Sequence, residues 1–128
     1  LTAGEITACG NIARGIKGDN YLVLETEAAG NHPWLPYPGQ LRLQAISHIA
    51  NGACMVEYWH WHSIHNAIES YWKGVLSHDL RPNRLYKECS VIGNELKKYG
   101  HRLVNLKRQT SLRLLLTTPL LQGLMNLS

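Results

Sequence analysis

The 128-residue chain has no run of 18 apolar residues, so no membrane-spanning helix is expected and no membrane partner. Its first fifteen residues, LTAGEITACGNIARG, lack a basic stretch followed by an apolar one, so no secretory leader is expected there. The three cysteines, Cys9, Cys54 and Cys89, are an odd number at wide spacing and form no CxxC pair. They predict buried free thiols in a reducing, cytoplasmic setting. Acidic side chains are missing from one region. Residues 101–128 hold Arg102, Lys107, Arg108 and Arg113 and no acid, while residues 1–100 balance nine basic against nine acidic side chains. The net charge of +4 therefore belongs to the tail. No Lys/Arg stripe and no RNA-module motif accompany it, so no nucleic-acid partner is expected. Internal repeats and low-complexity segments are also lacking.

What is present reads as alternating strands and helices. Asn11 to Lys17, NIARGIK, predicts part of a first helix. YLVLE, Tyr21 to Glu25, is a short unbroken apolar run ending in a carboxylate, as in a strand buried on both faces. AAGNHPWLPYPG follows, with three Pro and two Gly in twelve residues, and reads as a loop. From Gln40, Leu43, Ile46 and Ala50 recur at helical spacing with Ile49 alongside, and Gly52 supplies a stop. ACMVEYW, Ala53 to Trp59, predicts a second strand. After a long connection, Asn83 is placed to cap a helix with an inward stripe of Leu85, Cys89, Ile92 and Leu96. Strand–helix alternation implies an α/β fold, a parallel sheet covered by helices. Ten of the twenty Leu fall in residues 101–128, where Pro119 and Gly123 interrupt any regular element.

Met55 to Trp72, MVEYWHWHSIHNAIESYW, packs three Trp, three His, two Tyr and two Glu into eighteen residues. In parallel α/β folds the ligand crevice lies outside the carboxyl ends of the strands. Glu25 ends one predicted strand and EYWHWH ends the other. Glu27, two residues on, points the same way on an extended backbone and rivals Glu25 for any role. His60, His62 and His65 form H-x-H-x-x-H, which admits a metal site. No Cys or short-spaced Asp completes a ligand set, however, and Trp59 and Trp61 flank the imidazoles. Indoles suit the apolar face of a sugar, with their N–H groups at a cleft. Glu69, beside Tyr71 and Trp72, suits hydrogen bonds from a bound polyol.

The order YLVLE, PGQLRL, ANGA, EYWHWHS, ESYWKGVLSHD, NRLYKE resembles the end of the catalytic barrel of glycoside hydrolase family 42 β-galactosidases. GEI and ARGIKGDNYLV fit the preceding helix and the strand entry, so the likeness runs from about residue 4 to about residue 107. It implies the last two β/α units of a (β/α)8 TIM barrel over residues 1–106, with residues 107–128 a divergent Leu-rich tail. That tail departs from the family, and a truncated gene with a shifted reading frame near its end is one account of it. The resemblance places Glu25 where the family has its catalytic nucleophile, and Trp34, Trp59, Glu69 and Trp72 near where it contacts the galactosyl unit. Arg14 is expected to be structural. The implied chemistry is retaining hydrolysis of β-galactosides by two carboxyl groups, with no metal and no cofactor. The family's acid/base Glu belongs to an earlier strand, and no motif in residues 1–20 replaces it. A homotrimeric parent is implied as well. The alternatives left open are a galactoside-binding remnant without turnover and a metal enzyme built on the His cluster. If a second carboxylate lies within this chain, Glu57 and Glu69 are its candidates.

Overall fold

A computed structural model describes residues 2–30, 34–107 and 109. Helix α1 spans Ala3–Lys17, strand β1 Tyr21–Glu27, helix α2 Gln40–Ala50, strand β2 Ala53–Trp59 and helix α3 Arg84–Tyr99, followed by a single 3-10 turn, Gly100–Arg102. Helix α1 begins eight residues before the segment read as helical, because Thr2 and Glu5 close a capping box ahead of it. The Thr2 amide donates to the Glu5 carboxylate at 2.6 Å, and the Glu5 amide donates to the Thr2 hydroxyl at 3.3 Å. Helix α3 starts where its sequence places it, with the Asn83 side chain accepting from the Tyr86 amide at 3.0 Å.

The two strands pair in parallel. Helices cover one face of this ribbon. Ala28 and Ala29 after β1, Leu41 and Ala45 of α2, Val75, and Leu85 and Ile92 of α3 form the core, with Tyr58, Cys89 and Leu96 packed against it. The other face has no layer over it among the described residues. There Leu22 is 49% exposed, Leu24 66%, Met55 37% and Trp59 39%. β1 was expected to be buried on both faces and is buried on one, because two strands provide neither a second layer nor outer neighbours.

The predicted stripe of α2 also needs correction. Leu43 and Ala50 are exposed, and the buried side is Leu41, Gln44, Ala45 and His48. Spacing alone permits either face. The choice is made by packing: Ala45 is small enough to approach the sheet, and the Tyr58 hydroxyl donates to the Leu41 carbonyl at 3.2 Å. Ile46 and Ile49 instead line a hollow of about 120 Å³ with Arg14, Leu103 and Leu106. Arg14 lies against Gly52, where a Cβ would approach its guanidinium to 2.6 Å, and donates to the Leu106 carbonyl at 2.8 Å. It joins α1, the entry to β2 and the segment after α3.

The cysteines are free, as expected, but not buried. Cys9 and Cys54 are exposed and Cys89 is half-buried. Cys9 lies on the solvent side of α1, and Cys54 is an unpaired extra residue at the start of β2. Burial, with a smaller contribution from Glu88, pushes the Cys89 thiol up to about 11. Among the described residues no helix is long and apolar enough to cross a membrane. Apart from Lys107 and Gln109, the Leu-rich tail lies outside the described residues.

Candidate active site at the carboxyl ends of the strands

Parallel pairing delivers the last residues of both strands to one end of the ribbon. On β1 these are Glu25 and Glu27, and on β2 Glu57 and Trp59. The pairing is not uniform. Tyr21 pairs with Ala53 but Leu22 with Met55, so β2 holds one extra residue there, Cys54. Val23 pairs with Val56 and Thr26 with Tyr58, so β1 holds one extra residue between them. The two irregularities cancel in register but not in direction.

Before the second one, the odd positions of β1 face the helices. Tyr21 is buried, with its hydroxyl 3.5 Å from the His48 carbonyl. Strict alternation would then turn Glu25 toward the helices as well. After the extra residue the sense reverses: Thr26 and Ala28 are buried, while Glu25 and Glu27 are exposed. A bulge commonly re-aims side chains in this way. Glu57, between Val56 and Tyr58, lies opposite the Leu24–Glu25 bulge, and Glu27 pairs with Trp59. The uncovered face thus runs from apolar, at Leu22 and Met55, to acidic and aromatic at its carboxyl end.

The chain from His60 to Leu80 leaves β2 and braces itself. The Val75 amide donates to the His60 carbonyl at 2.8 Å and the Leu76 amide to that of Trp61 at 2.8 Å. Buried Ser63 donates from its hydroxyl to the Leu76 carbonyl at 2.9 Å and accepts from the Gly74 amide at 3.1 Å. Gly74 has no room for a side chain, since a Cβ would lie 2.6 Å from the His60 oxygen and 2.6 Å from the His62 carbonyl carbon. The Lys73 amide donates to the Gly30 carbonyl at 3.2 Å, which ties this loop to the segment after β1. The Arg84 guanidinium donates to the Pro36 carbonyl and ties the start of α3 to the β1–α2 loop.

The histidines are used inside this loop. His65 Nε2 lies 2.6 Å from the His78 carbonyl. His78 Nε2 lies 2.9 Å from the Ser70 carbonyl and 3.1 Å from that of Ile64. His62 Nδ1 lies 2.9 Å from the Ser63 carbonyl. A ring nitrogen facing a carbonyl oxygen carries the proton and donates it, so these nitrogens are not lone pairs awaiting a metal. Ring centroids of His60 and His62 are 6.4 Å apart and those of His62 and His65 6.2 Å. Among the described residues no three His, Cys, Asp or Glu are grouped to hold a metal ion. Burial, then the neighbouring His62 ring, lowers the pKa of His60, while the Glu69 carboxylate opposes that shift. Glu69 is therefore within electrostatic reach of His60, whose ring centroid is 5.0 Å from that of Trp59.

The candidate residues fall into two groups. Trp59, His60, Glu69 and Trp72 belong to the end of β2 and its loop. The Trp72 amide donates to the Glu69 carbonyl at 2.9 Å, and the Trp72 indole N–H is buried without a partner among the described residues. Trp34, 68% exposed, lines a small hollow of about 60 Å³ with Glu27, Ala29, Pro36, Gln40 and Gln44. Glu27, rather than Glu25, shares that hollow with Trp34. Sequence reasoning underweighted Glu57, although its alternation with Met55 and Trp59 signals the shared face. The Ser63–Gly74 latch gave no local signal, because its members are eleven positions apart.

The chain, with its bulged parallel strand and exposed carboxylates, also matches a known family. The family model for glycoside hydrolase family 42, described as β-galactosidase, matches residues 2–99. This chain belongs to the glycoside hydrolase family 42 β-galactosidases. A β-galactosidase of Haloferax lucentense, BgaH, is 33% identical over 90 residues, which are 67% of this chain and 14% of that protein. A β-galactosidase of an Arthrobacter species is 24% identical over 98 residues, 73% of this chain and 14% of that one. Among solved structures, a catalytic mutant of Gan42B, a family 42 β-galactosidase from G. stearothermophilus, superposes with a TM-score of 0.77 at 24% identity, covering 84% of this chain and 16% of that one. The β-galactosidase of Bacillus circulans sp. alkalophilus superposes with a TM-score of 0.72 at 25% identity, covering 82% and 16%. This family 42 chain thus spans about one seventh of the length of the relatives it matches. The solved neighbours are TIM-barrel enzymes, and the βαβα unit described above superposes on part of their fold.

Proposed function

We propose that the chain is the carboxyl-terminal part of the catalytic barrel of a retaining β-galactosidase, its last two β/α units, with Glu25 as the nucleophile. The observation that carries this reading is the β1 bulge, which aligns with a change of facing between Tyr21 and Glu25 and leaves the Glu25 carboxylate on the uncovered side. In retaining hydrolysis one carboxylate attacks the anomeric carbon while a second carboxyl group protonates the leaving oxygen. Water then releases the covalent glycosyl-enzyme, the second group now acting as base. The two carboxyl groups must lie roughly 5–5.5 Å apart. On this reading the second comes from a strand outside this chain. Trp34, Trp59 and Trp72 offer flat faces to the apolar side of galactose, and Glu69 accepts hydrogen bonds from its hydroxyls.

The chain alone should then be inactive. Loss of the general acid costs on the order of 10²–10⁴-fold, and two strands do not close a barrel around the sugar. Purified alone, it should show no saturable hydrolysis of a nitrophenyl β-galactoside; robust turnover would refute the reading and move attention to Glu57 and Glu69. In a polypeptide that joins this chain to a preceding barrel, a 2-deoxy-2-fluoro-galactoside should label the peptide at Glu25, and Glu25→Gln should remove most turnover. A label on Glu27 or Glu57 would overturn the assignment. The exposure of Trp34 favours a second reading, a sugar-binding remnant, for which galactose binding to the isolated chain would be the signature.

A further inference from the structure

We propose that the hollow at the amino-terminal end of the ribbon, between α1, α2 and the segment after α3, binds a short 2-hydroxycarboxylate and that the bound molecule fastens these three elements together. The site is separate from the carboxylates and indoles described above and does not depend on their chemistry.

Asn20 directly precedes β1 and Gly52 directly precedes β2, so the hollow lies at the end of the strands opposite Glu25 and Trp59. Its volume is about 120 Å³. Ile46 and Ile49 of α2, with Leu103 and Leu106, give it apolar walls, and Arg14 and Asn20 are the polar side chains among its described lining residues. The protein satisfies neither of them fully. Arg14 is half-buried, and its guanidinium, a group with five N–H donors, gives one to the Leu106 carbonyl at 2.8 Å. Among the described residues no carboxylate forms an ion pair with it. Gly52, where a Cβ would come within 2.6 Å of Arg14 Nη1, leaves the space in which the guanidinium is held. The side-chain oxygen of Asn20 is buried with no donor facing it among the described residues. A buried acceptor without a donor and a half-buried cation without a counter-charge both cost stability, and native proteins rarely leave either unmet.

These groups discriminate among occupants. At about 30 Å³ each, roughly four waters would fill the hollow, and each wants two to four polar partners. Two polar side chains among four aliphatic ones supply too few. Sulfate or phosphate would meet Arg14 but would set charged oxygens against the isoleucines and leucines. A hydrocarbon would suit the walls and leave Arg14 and Asn20 as they are. A short carboxylate with a neighbouring hydroxyl meets all three demands. Its carboxylate accepts from the guanidinium, its hydroxyl donates to Asn20 Oδ1, and its carbon chain lies on the aliphatic walls. An apolar cavity of about 150 Å³ holds benzene, and lactate has the same number of heavy atoms, which sets the size class. For a molecule that small, a dissociation constant on the order of 1 mM is expected.

The test is the thermal midpoint of the 128-residue chain, titrated with lactate, propionate, glycerol and sodium chloride at matched ionic strength. Lactate should raise the midpoint saturably, by several degrees at about 100 times that constant. Propionate should need roughly tenfold more for the same shift, because Asn20 Oδ1 stays unmet. Glycerol and sodium chloride should give no shift. Asn20→Ala should bring lactate and propionate to equal strength. Ile46→Phe, which fills the hollow and keeps Arg14, should remove the lactate shift. Absence of a lactate shift, or one that sodium chloride matches, assigns the hollow to water and overturns the inference. A lactate shift that survives Ile46→Phe places the ligand elsewhere and overturns it as well. Where Ile46→Phe does not fold, Asn20→Ala decides: lactate that still outperforms propionate there removes the assignment.

Discussion

One ribbon of two strands presents two faces built from similar apolar residues, and their surroundings differ completely. On the helical side Ala28, Leu41, Val75, Leu85 and Ile92 close over the strands, with Leu41 at 0% exposure. On the other side Leu22, Leu24 and Met55 remain open to solvent. Full burial of a Leu or Met side chain contributes about 1.5–3 kcal/mol, so the open face withholds several such contributions from the isolated chain. The difference teaches that these strands carry apolar residues on both faces, while the helices described here cover only one of them.

The sharpest way to break this contrast is to truncate one residue on each face. Leu41→Ala should cost about 2–5 kcal/mol in denaturant unfolding, because it opens a cavity in the closed core. Leu24→Ala should change stability by no more than about 0.5 kcal/mol, as for other surface positions. Equal costs would mean that the open face is covered in solution.

A second probe moves from the faces to the loop that joins them. Gly74→Ala drives a methyl group into the His60 and His62 backbone and should destabilise by about 1–3 kcal/mol. The loss should be concentrated in the loop, seen as faster hydrogen exchange at the Ser63 and Val75 amides with α1 unaffected. Uniform acceleration throughout the chain would show that the latch is inseparable from the core.

Smaller again is the cap on the helix that covers the closed face. Asn83→Ala removes the acceptor for the Tyr86 amide and should lower stability by about 1 kcal/mol, read from the thermal midpoint. Asn83→Asp should restore most of it.

The mildest effect concerns pH. His48 is buried on α2 with both ring nitrogens unpartnered among the described residues, and burial lowers its pKa. The unfolded chain therefore takes up that proton more readily than the folded one. The contribution of neutral His48 to stability is complete above about pH 6.5 and is lost as pH falls below that value. His48→Leu should flatten the fall of the thermal midpoint below about pH 6.5. An unchanged slope would assign the acid sensitivity to other groups.

Much of the fold could be read from local signals. The limits of β2 were readable from its apolar run, and the start of α3 from the capping preference of Asn83, because both depend on residues close together in the chain. The buried side of α2 could not be read so. Leu41 and Leu43 are both apolar, and only contact with Tyr58 and the sheet selects between them. The cysteines were misjudged for a related reason: a thiol is compatible with either side of a helix or strand, and position decides its burial. Within the candidate site, the grouping of carboxylates and indoles was visible as composition. The division between Glu27 with Trp34 and Glu69 with His60 was not, since it depends on how two loops fold back on the strands.

By itself the sequence determined which elements form, that the strands run parallel, and which motifs place the chain in its family, because propensity, capping and motif spacing are local. The tertiary structure alone decided where the carboxylates face. An alternating strand starting from buried Tyr21 would send Glu25 into the helices. One extra residue before Thr26, defined only by pairing with a strand more than thirty positions away in the chain, turns Glu25 outward with Glu27, opposite Glu57.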